Sequence, residues 1–355
     1  LDRLPNLDPL RFFLASLVIL FHLPQLSYNQ GLPSMPIVPI LNRGTEAVYM
    51  FFVLSGFLII RLIYRHKLDD RFSIRKFYMR RVLRILPLYY LIVVFGFIFY
   101  NVILPYLGIP FEIKYELSEG ILLTVFFLPN VFAKLYAPGG ILEVLWSIGI
   151  EEQFYLMIAP LLFILSKNWI LRVLSSLLIL YFVLFHLDAF SWLREFWFVY
   201  FFLFFGGIVA ILEEKQLLGF LMKTFVIPIL IVVATLLYFF TDLFQFEQVW
   251  LYNLFTMLLF GMFIHTLAHN NRKKEVHFRL LNHLGHISYG IYMYHVIAMN
   301  AVVFIGLKLQ GMNIFSDSML ILLIYILTFV LTISLAHISY KYFETYFLKL
   351  KNKFR

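Results

Sequence analysis

Long apolar blocks separated by short polar connectors repeat along this chain from one end to the other. A helix needs about 20 residues to cross the ~30 Å of hydrocarbon in a bilayer. We read ten blocks of that kind, at residues 10–28, 46–64, 85–107, 144–165, 170–187, 196–212, 225–240, 249–268, 287–307 and 319–343. The stretch 117–131 is also apolar, but it is short, and Pro129 and Pro138 lie at and beyond its end. It is expected to be re-entrant or interfacial rather than an eleventh crossing.

Loop charge tests that count. With the N-terminus inside, twenty Lys and Arg fall in cytoplasmic segments: Arg3, the eight from Arg65 to Arg84, Lys167, Lys215, Lys223, the four from Arg272 to Arg279, and the four from Lys349 to Arg355. Five fall outside: Arg43, Lys114, Lys134, Arg194 and Lys308. An eleventh crossing would flip everything after it and spoil the positive-inside asymmetry. The expected fold is therefore all-α: a polytopic transmembrane bundle of about ten helices with both termini cytoplasmic, plus one short re-entrant or interfacial segment. The longest outer loops are 29–45, stiffened by Pro33, Pro36 and Pro39, and 108–143. No soluble domain, flexible linker or internal repeat is apparent.

Composition agrees with the blocks. Of 355 residues, 62% are hydrophobic and 14% charged, with 42 Phe and 22 Tyr, whereas a soluble domain is nearer half apolar and a quarter charged. So much apolar surface needs lipid as its solvent. The absence of cysteine excludes disulfides, thiolate catalysis and Cys-based metal sites. The net charge of +9 would suit a nucleic-acid partner, but the basic residues flank apolar blocks, a pattern of membrane orientation. The partner is the bilayer, and no nucleic acid is expected.

Ionisable groups inside the membrane are expensive and so are functional candidates. Arg11 and His22 stand eleven residues apart in the first block, on one helical face and about 16 Å apart along the axis. Asp8 is placed to pair with Arg11 three residues on. A snorkelling anchor also explains Arg11, but His22, about 18 Å from the inner boundary by helical rise, is harder to explain that way. In the fourth block, Glu151 and Glu152 lie about 10 to 12 Å from the outer side and need cationic or hydroxyl partners, or protonation. One of them could orient His22; a structural ion pair with Arg11 or Arg61 is the alternative. His295 lies about 12 Å from the inner side, in a stretch that also carries Tyr292. Ser55 and Gly56 are central in the second block, with close helix packing the favoured role for Gly56. At the inner mouth, Arg80, Arg81 and Arg84 share a helical face that suits phosphate or lipid headgroups. Pro87 is expected in the first turn of the third span.

These motifs together resemble the acyltransferase 3 family of membrane proteins, almost end to end. The run Leu7-Asp8-Pro9-Leu10-Arg11 through His22 resembles its Arg-x10-His signature, and residues 51–59 its second-helix motif. Residues 77–87 resemble its RxxR region, 146–156 its WSxxxEEQFYL motif, and 287–295 and 340–344 its two closing motifs. Departures are Ala47 for a common Gly, Tyr49 where a polar residue is frequent, and Tyr346 for a usual Pro. The periplasmic esterase-like domain fused to some members has no counterpart in these residues.

The resemblance implies a single acyltransferase domain over 1–355 in the bacterial inner membrane. It would take an acyl group, usually acetyl, from cytosolic acyl-CoA to a carbohydrate hydroxyl on the outer side, with no metal. In that scheme His22 is the general base, Glu151 or Glu152 fixes its tautomer, and Arg11, Arg80, Arg81 and Arg84 hold the donor. Asp8, Ser55, Tyr292 and His295 are further candidates. The rival from another class is a secondary transporter using the buried His and Glu as a proton relay; a third reading is a structural or lipid-binding protein.

Overall fold

Helix Leu7–Asn29 opens the chain and carries both Arg11 and His22 without interruption, although Pro24 removes one backbone donor two residues past the histidine. The computed structural model describes residues 4, 6–36, 38–269 and 279–354. Arg3, Arg272, Lys273, Lys274 and Arg355, counted above among the cytoplasmic charges, lie outside them. Among the described residues there is helix and no strand.

Among the described residues, seven helices are long and apolar enough to cross a membrane: Leu7–Asn29, Gly44–Leu68, Ile74–Tyr106, Gly140–Ile164, Val249–His269, Ser288–Gly311 and Asp317–Lys351. An eighth candidate is the pair Ile170–His186 and Asp188–Glu195, bent by 93° at its break. The protein is thus an integral membrane protein of about seven to eight candidate spans. The blocks at 196–212 and 225–240 are helical too, as Tyr200–Glu214 and Val226–Phe240, but each has only 15 residues. At 1.5 Å per residue these reach about 22 Å, short of the ~30 Å core. Hydropathy alone did not register the backbone break before the first of them, where Trp197 takes a positive φ of 55°.

The stretch 117–131 forms no single crossing helix. It folds as Leu117–Val125 and Pro129–Tyr136, nine and eight residues long, divided at Phe127, whose φ is +58°. Tyr89 donates from its hydroxyl to the Thr124 carbonyl at 2.8 Å, and the Ile141 amide donates to the Tyr100 hydroxyl at 3.0 Å, fixing this region. Pro87 does not open its helix. The helix starts at Ile74, so Pro87 lies inside it and the whole basic run is helical.

The chain divides into two compact units. The first comprises Leu1–Leu14, Thr45–Ile74 and Ile150–Gly285, the second Ala15–Gly44, Arg75–Gly149 and His286–Arg355. In the first, helices Gly44–Leu68 and Tyr200–Glu214 cross at paired glycines. A methyl group on Gly56 would collide with the Leu203 carbonyl, and one on Gly206 with the Val53 carbonyl. Small residues at such a crossing let two backbones meet, so packing is the role of Gly56. Around it Phe52, Phe57, Phe154, Phe201 and Phe202 are fully buried. Lys67, at the end of the second helix, donates to the carbonyls of Leu162 (2.5 Å), Phe163 (3.0 Å) and Leu165, capping the end of helix Trp146–Ile164. In the second unit Gly290 packs against Ala336 and the Glu344 carboxylate, which accepts from the Ser339 hydroxyl at 3.2 Å. That brings the two closing motifs together.

Candidate active site

Two histidines face each other in the second unit. The rings of His22 and His295 lie 5.5 Å apart between centroids and are inclined by 34°. His22 comes from the first helix and His295 from helix Ser288–Gly311. His295 is 0% exposed. Its Nδ1 hydrogen-bonds to the carbonyl of Tyr292, one turn back. A carbonyl only accepts, so Nδ1 carries the proton of the neutral ring and Nε2 carries the lone pair. That Nε2 is buried and meets no hydrogen-bond partner among the described residues.

Tyr292 links this pair to the helix carrying the Trp-Ser motif. Its hydroxyl donates to the Val144 carbonyl at 3.0 Å, and it lies 2.8 Å from the Ser147 hydroxyl. Because the tyrosine proton goes to the carbonyl, Ser147 is the donor to Tyr292. Tyr289, in the same stretch, donates to the Ile85 carbonyl at 2.9 Å. The result is an imidazole pair seated on a buried hydroxyl network, with one unprotonated nitrogen available. Such an arrangement can accept a proton from a hydroxyl substrate.

The first unit holds the remaining candidates. Asp8 and Arg11 form the expected i,i+3 ion pair at 2.5 Å, and Asp8 is buried. A Cβ at Gly285 would collide with the Asp8 carbonyl, so a glycine is what lets that backbone approach. Glu151 accepts from the Tyr155 hydroxyl at 2.8 Å, and Tyr155 also hydrogen-bonds to the Ser55 hydroxyl. Ser55, Tyr155 and Glu151 therefore form one polar chain. Glu152 is buried. Gln153, beside it, accepts from Tyr200. Arg61, weighed above as a partner for the glutamates, pairs with Glu214 at 2.5 Å, as Arg65 does at 2.7 Å.

Arg80, Arg81 and Arg84 stand on helix Ile74–Ile98 in the second unit. Arg84 is exposed, while Arg80 and Arg81 are half-buried, with the Arg81 guanidinium 5.8 Å over the Phe77 ring. A cofactor rich in phosphate is what such a face could hold.

Sequence reading missed Ser147 and Tyr155, each a hydroxyl in a motif already singled out. Their signal was spacing: Ser147, Glu151 and Tyr155 follow one another at one helical turn. Arg43, counted as a loop charge, is in fact buried. Its neighbours in sequence gave no sign of that.

The family profile described as "Acyltransferase domain" matches residues 4–337. Among curated proteins, "Putative peptidoglycan O-acetyltransferase YrhL" of Bacillus subtilis is 29% identical over 163 residues, 43% of this chain and 23% of that protein. Peptidoglycan O-acetyltransferase OatA of Listeria monocytogenes is 29% identical over 176 residues, 47% of this chain and 25% of that protein. "Putative acetyltransferase ORF330" of Acidianus two-tailed virus is 27% identical over 322 residues, 86% of each chain. The chain thus spans about a quarter of the length of the first two relatives. No solved structure matches it significantly.

Proposed function

This chain belongs to the acyltransferase family whose profile covers it almost end to end, and from that premise we propose that it transfers an acyl group, acetyl by our reading, from cytosolic acyl-CoA to a carbohydrate hydroxyl at the cell surface or on a lipid-linked sugar. Two relatives named for O-acetylation of peptidoglycan support a glycan as the acceptor class. The bacterial inner membrane is the setting of this reading, with one acyltransferase domain and both termini in the cytoplasm.

The observation that carries the proposal is the His22–His295 pair. His22 takes the proton of the acceptor hydroxyl, and the oxygen attacks the thioester carbonyl carbon. The tetrahedral adduct breaks its C–S bond, and the departing CoA thiolate takes the proton back from the imidazolium. His295, held in one tautomer by its own helix, offers its Nε2 lone pair to the His22 imidazolium that this proton creates. General base catalysis of this kind contributes about 10²–10⁴-fold. Arg80, Arg81 and Arg84 hold the phosphates of the donor, and Arg11 offsets charge at the thioester. Glu151 and Glu152 are the acidic residues of the reaction, proposed from their motif.

The test is mass spectrometry of surface glycans from cells expressing the wild type or His22→Ala at equal levels, paired with acetyl-CoA binding by the purified protein. His22→Ala is expected to lower acylation by at least about 100-fold while leaving donor binding intact. Arg81→Ala with Arg84→Ala is expected to abolish donor binding. Undiminished acylation in His22→Ala refutes the role of the histidine, and donor binding that survives loss of both arginines refutes theirs.

A further inference from the structure

A second histidine cluster lies in the first unit and has no part in the reaction above. His265 and His269 stand four residues apart on helix Val249–His269, in the run His265-Thr266-Leu267-Ala268-His269. That spacing points both rings to one face of the helix. Glu213, near the end of helix Tyr200–Glu214, meets them. Its Oε2 contacts Nδ1 of His265, and its Oε1 lies 3.0 Å from Nδ1 of His269. One ligand atom from each of the three residues lies within 4.8 Å of the other two.

Three further features distinguish this cluster from an incidental ion pair. His265 is 0% exposed, and its Nδ1 and Nε2, together with the Glu213 Oε2 that faces Nδ1, are buried without a well-formed hydrogen bond among the described residues. An unmatched polar atom in such a place is costly unless something else engages the ring. Next, both arginines at hand, Arg61 and Arg65, are taken by Glu214 at 2.5 and 2.7 Å, which leaves Glu213 to the histidines. Finally, a cavity of about 760 Å³ is lined by Glu213, His269, Glu214, Arg61, Arg65 and Lys223. It gives the cluster one open side.

We propose that Glu213, His265 and His269 bind a divalent first-row transition-metal ion, with the cavity supplying the remaining position for water or a small anion. Two imidazoles and one carboxylate suit zinc and its first-row neighbours, whereas calcium and magnesium favour all-oxygen sites. Three protein ligands leave the fourth tetrahedral position open. This departs from the sequence expectation of no metal, and it stands independently of the acyl-transfer reading.

The test uses the full chain purified in detergent without a histidine tag, stripped with chelator, then dialysed against zinc. Elemental analysis is expected to find about one zinc per chain, and cobalt in its place is expected to give visible ligand-field absorption. His269→Ala, at a site 41% exposed, should fold and lose at least about tenfold in zinc affinity, and Glu213→Gln should do the same. Zinc should raise the melting temperature of the wild type and not that of His269→Ala. Wild-type protein that retains no stoichiometric zinc, or variants that bind it equally well, would reduce the cluster to a histidine–glutamate ion pair and overturn the proposal. Should a variant fail to fold, the cobalt spectrum of the wild type decides alone, and a featureless spectrum overturns the site.

Discussion

Tyr292 spends one hydroxyl on two jobs: it donates to the Val144 carbonyl and accepts from Ser147. Tyr292→Phe leaves both of those groups without their partner in a buried place, which costs about 0.5–2 kcal/mol for hydrogen bonds between membrane helices. Ser147→Ala removes only the second bond. The double variant should therefore be no less stable than Tyr292→Phe alone, because the serine bond is already gone. Thermal unfolding of the two single variants and the double variant checks this, and fully additive losses would contradict the shared hydroxyl. At this scale the sequence was legible where chemistry is rare in lipid. His22, His295 and the Asp8–Arg11 pair stood out because each is costly there. Ser147, Tyr155 and Arg43 did not, since a hydroxyl or a loop arginine is ordinary until its neighbours are known.

Between elements, the crossing of helices Gly44–Leu68 and Tyr200–Glu214 depends on Gly56 and Gly206. Either glycine changed to alanine puts a methyl group into the backbone of the facing helix, and backbone cannot move aside as a flexible side chain can. Gly56→Ala and Gly206→Ala are expected to lower the yield of monodisperse protein and the melting temperature. Gly219→Ala, which meets nothing within 4 Å, is the neutral control; equal behaviour of all three would refute the crossing. The packing role of Gly56 was legible from its small size, but its partner was not. Nor was the capping role of Lys67, which the charge count took for simple orientation. Its three acceptors lie about a hundred residues away, at a helix end where the last carbonyls lack donors.

For the molecule as a whole, the two 15-residue helices decide the topology of one loop. With both termini in the cytoplasm, as proposed, the loop between Tyr200–Glu214 and Val226–Phe240 is cytoplasmic if both helices cross; if neither does, that loop stays outside and everything after it is unchanged. Crossing by such short helices requires local thinning of the bilayer, and Lys215 and Lys223 favour the inner side. Because the chain has no cysteine, one introduced cysteine reports its side without ambiguity. Lys215→Cys is expected to react with an impermeant maleimide only after permeabilisation, and Lys114→Cys in intact cells; labelling of Lys215→Cys in intact cells would remove both crossings. From the order of the amino acids alone it follows that this protein is helical and lives in lipid, where its apolar helices lie, and which residues are too polar to be there by chance. Those properties follow from local composition, because a backbone in hydrocarbon must satisfy its own hydrogen bonds within each helix. Tertiary structure alone decided how long three of the helices run before they break, that His22 meets His295, and that Glu213 joins two histidines some fifty residues away. Pairings of that kind depend on which helix faces pack together, and one-dimensional hydropathy carries no record of them.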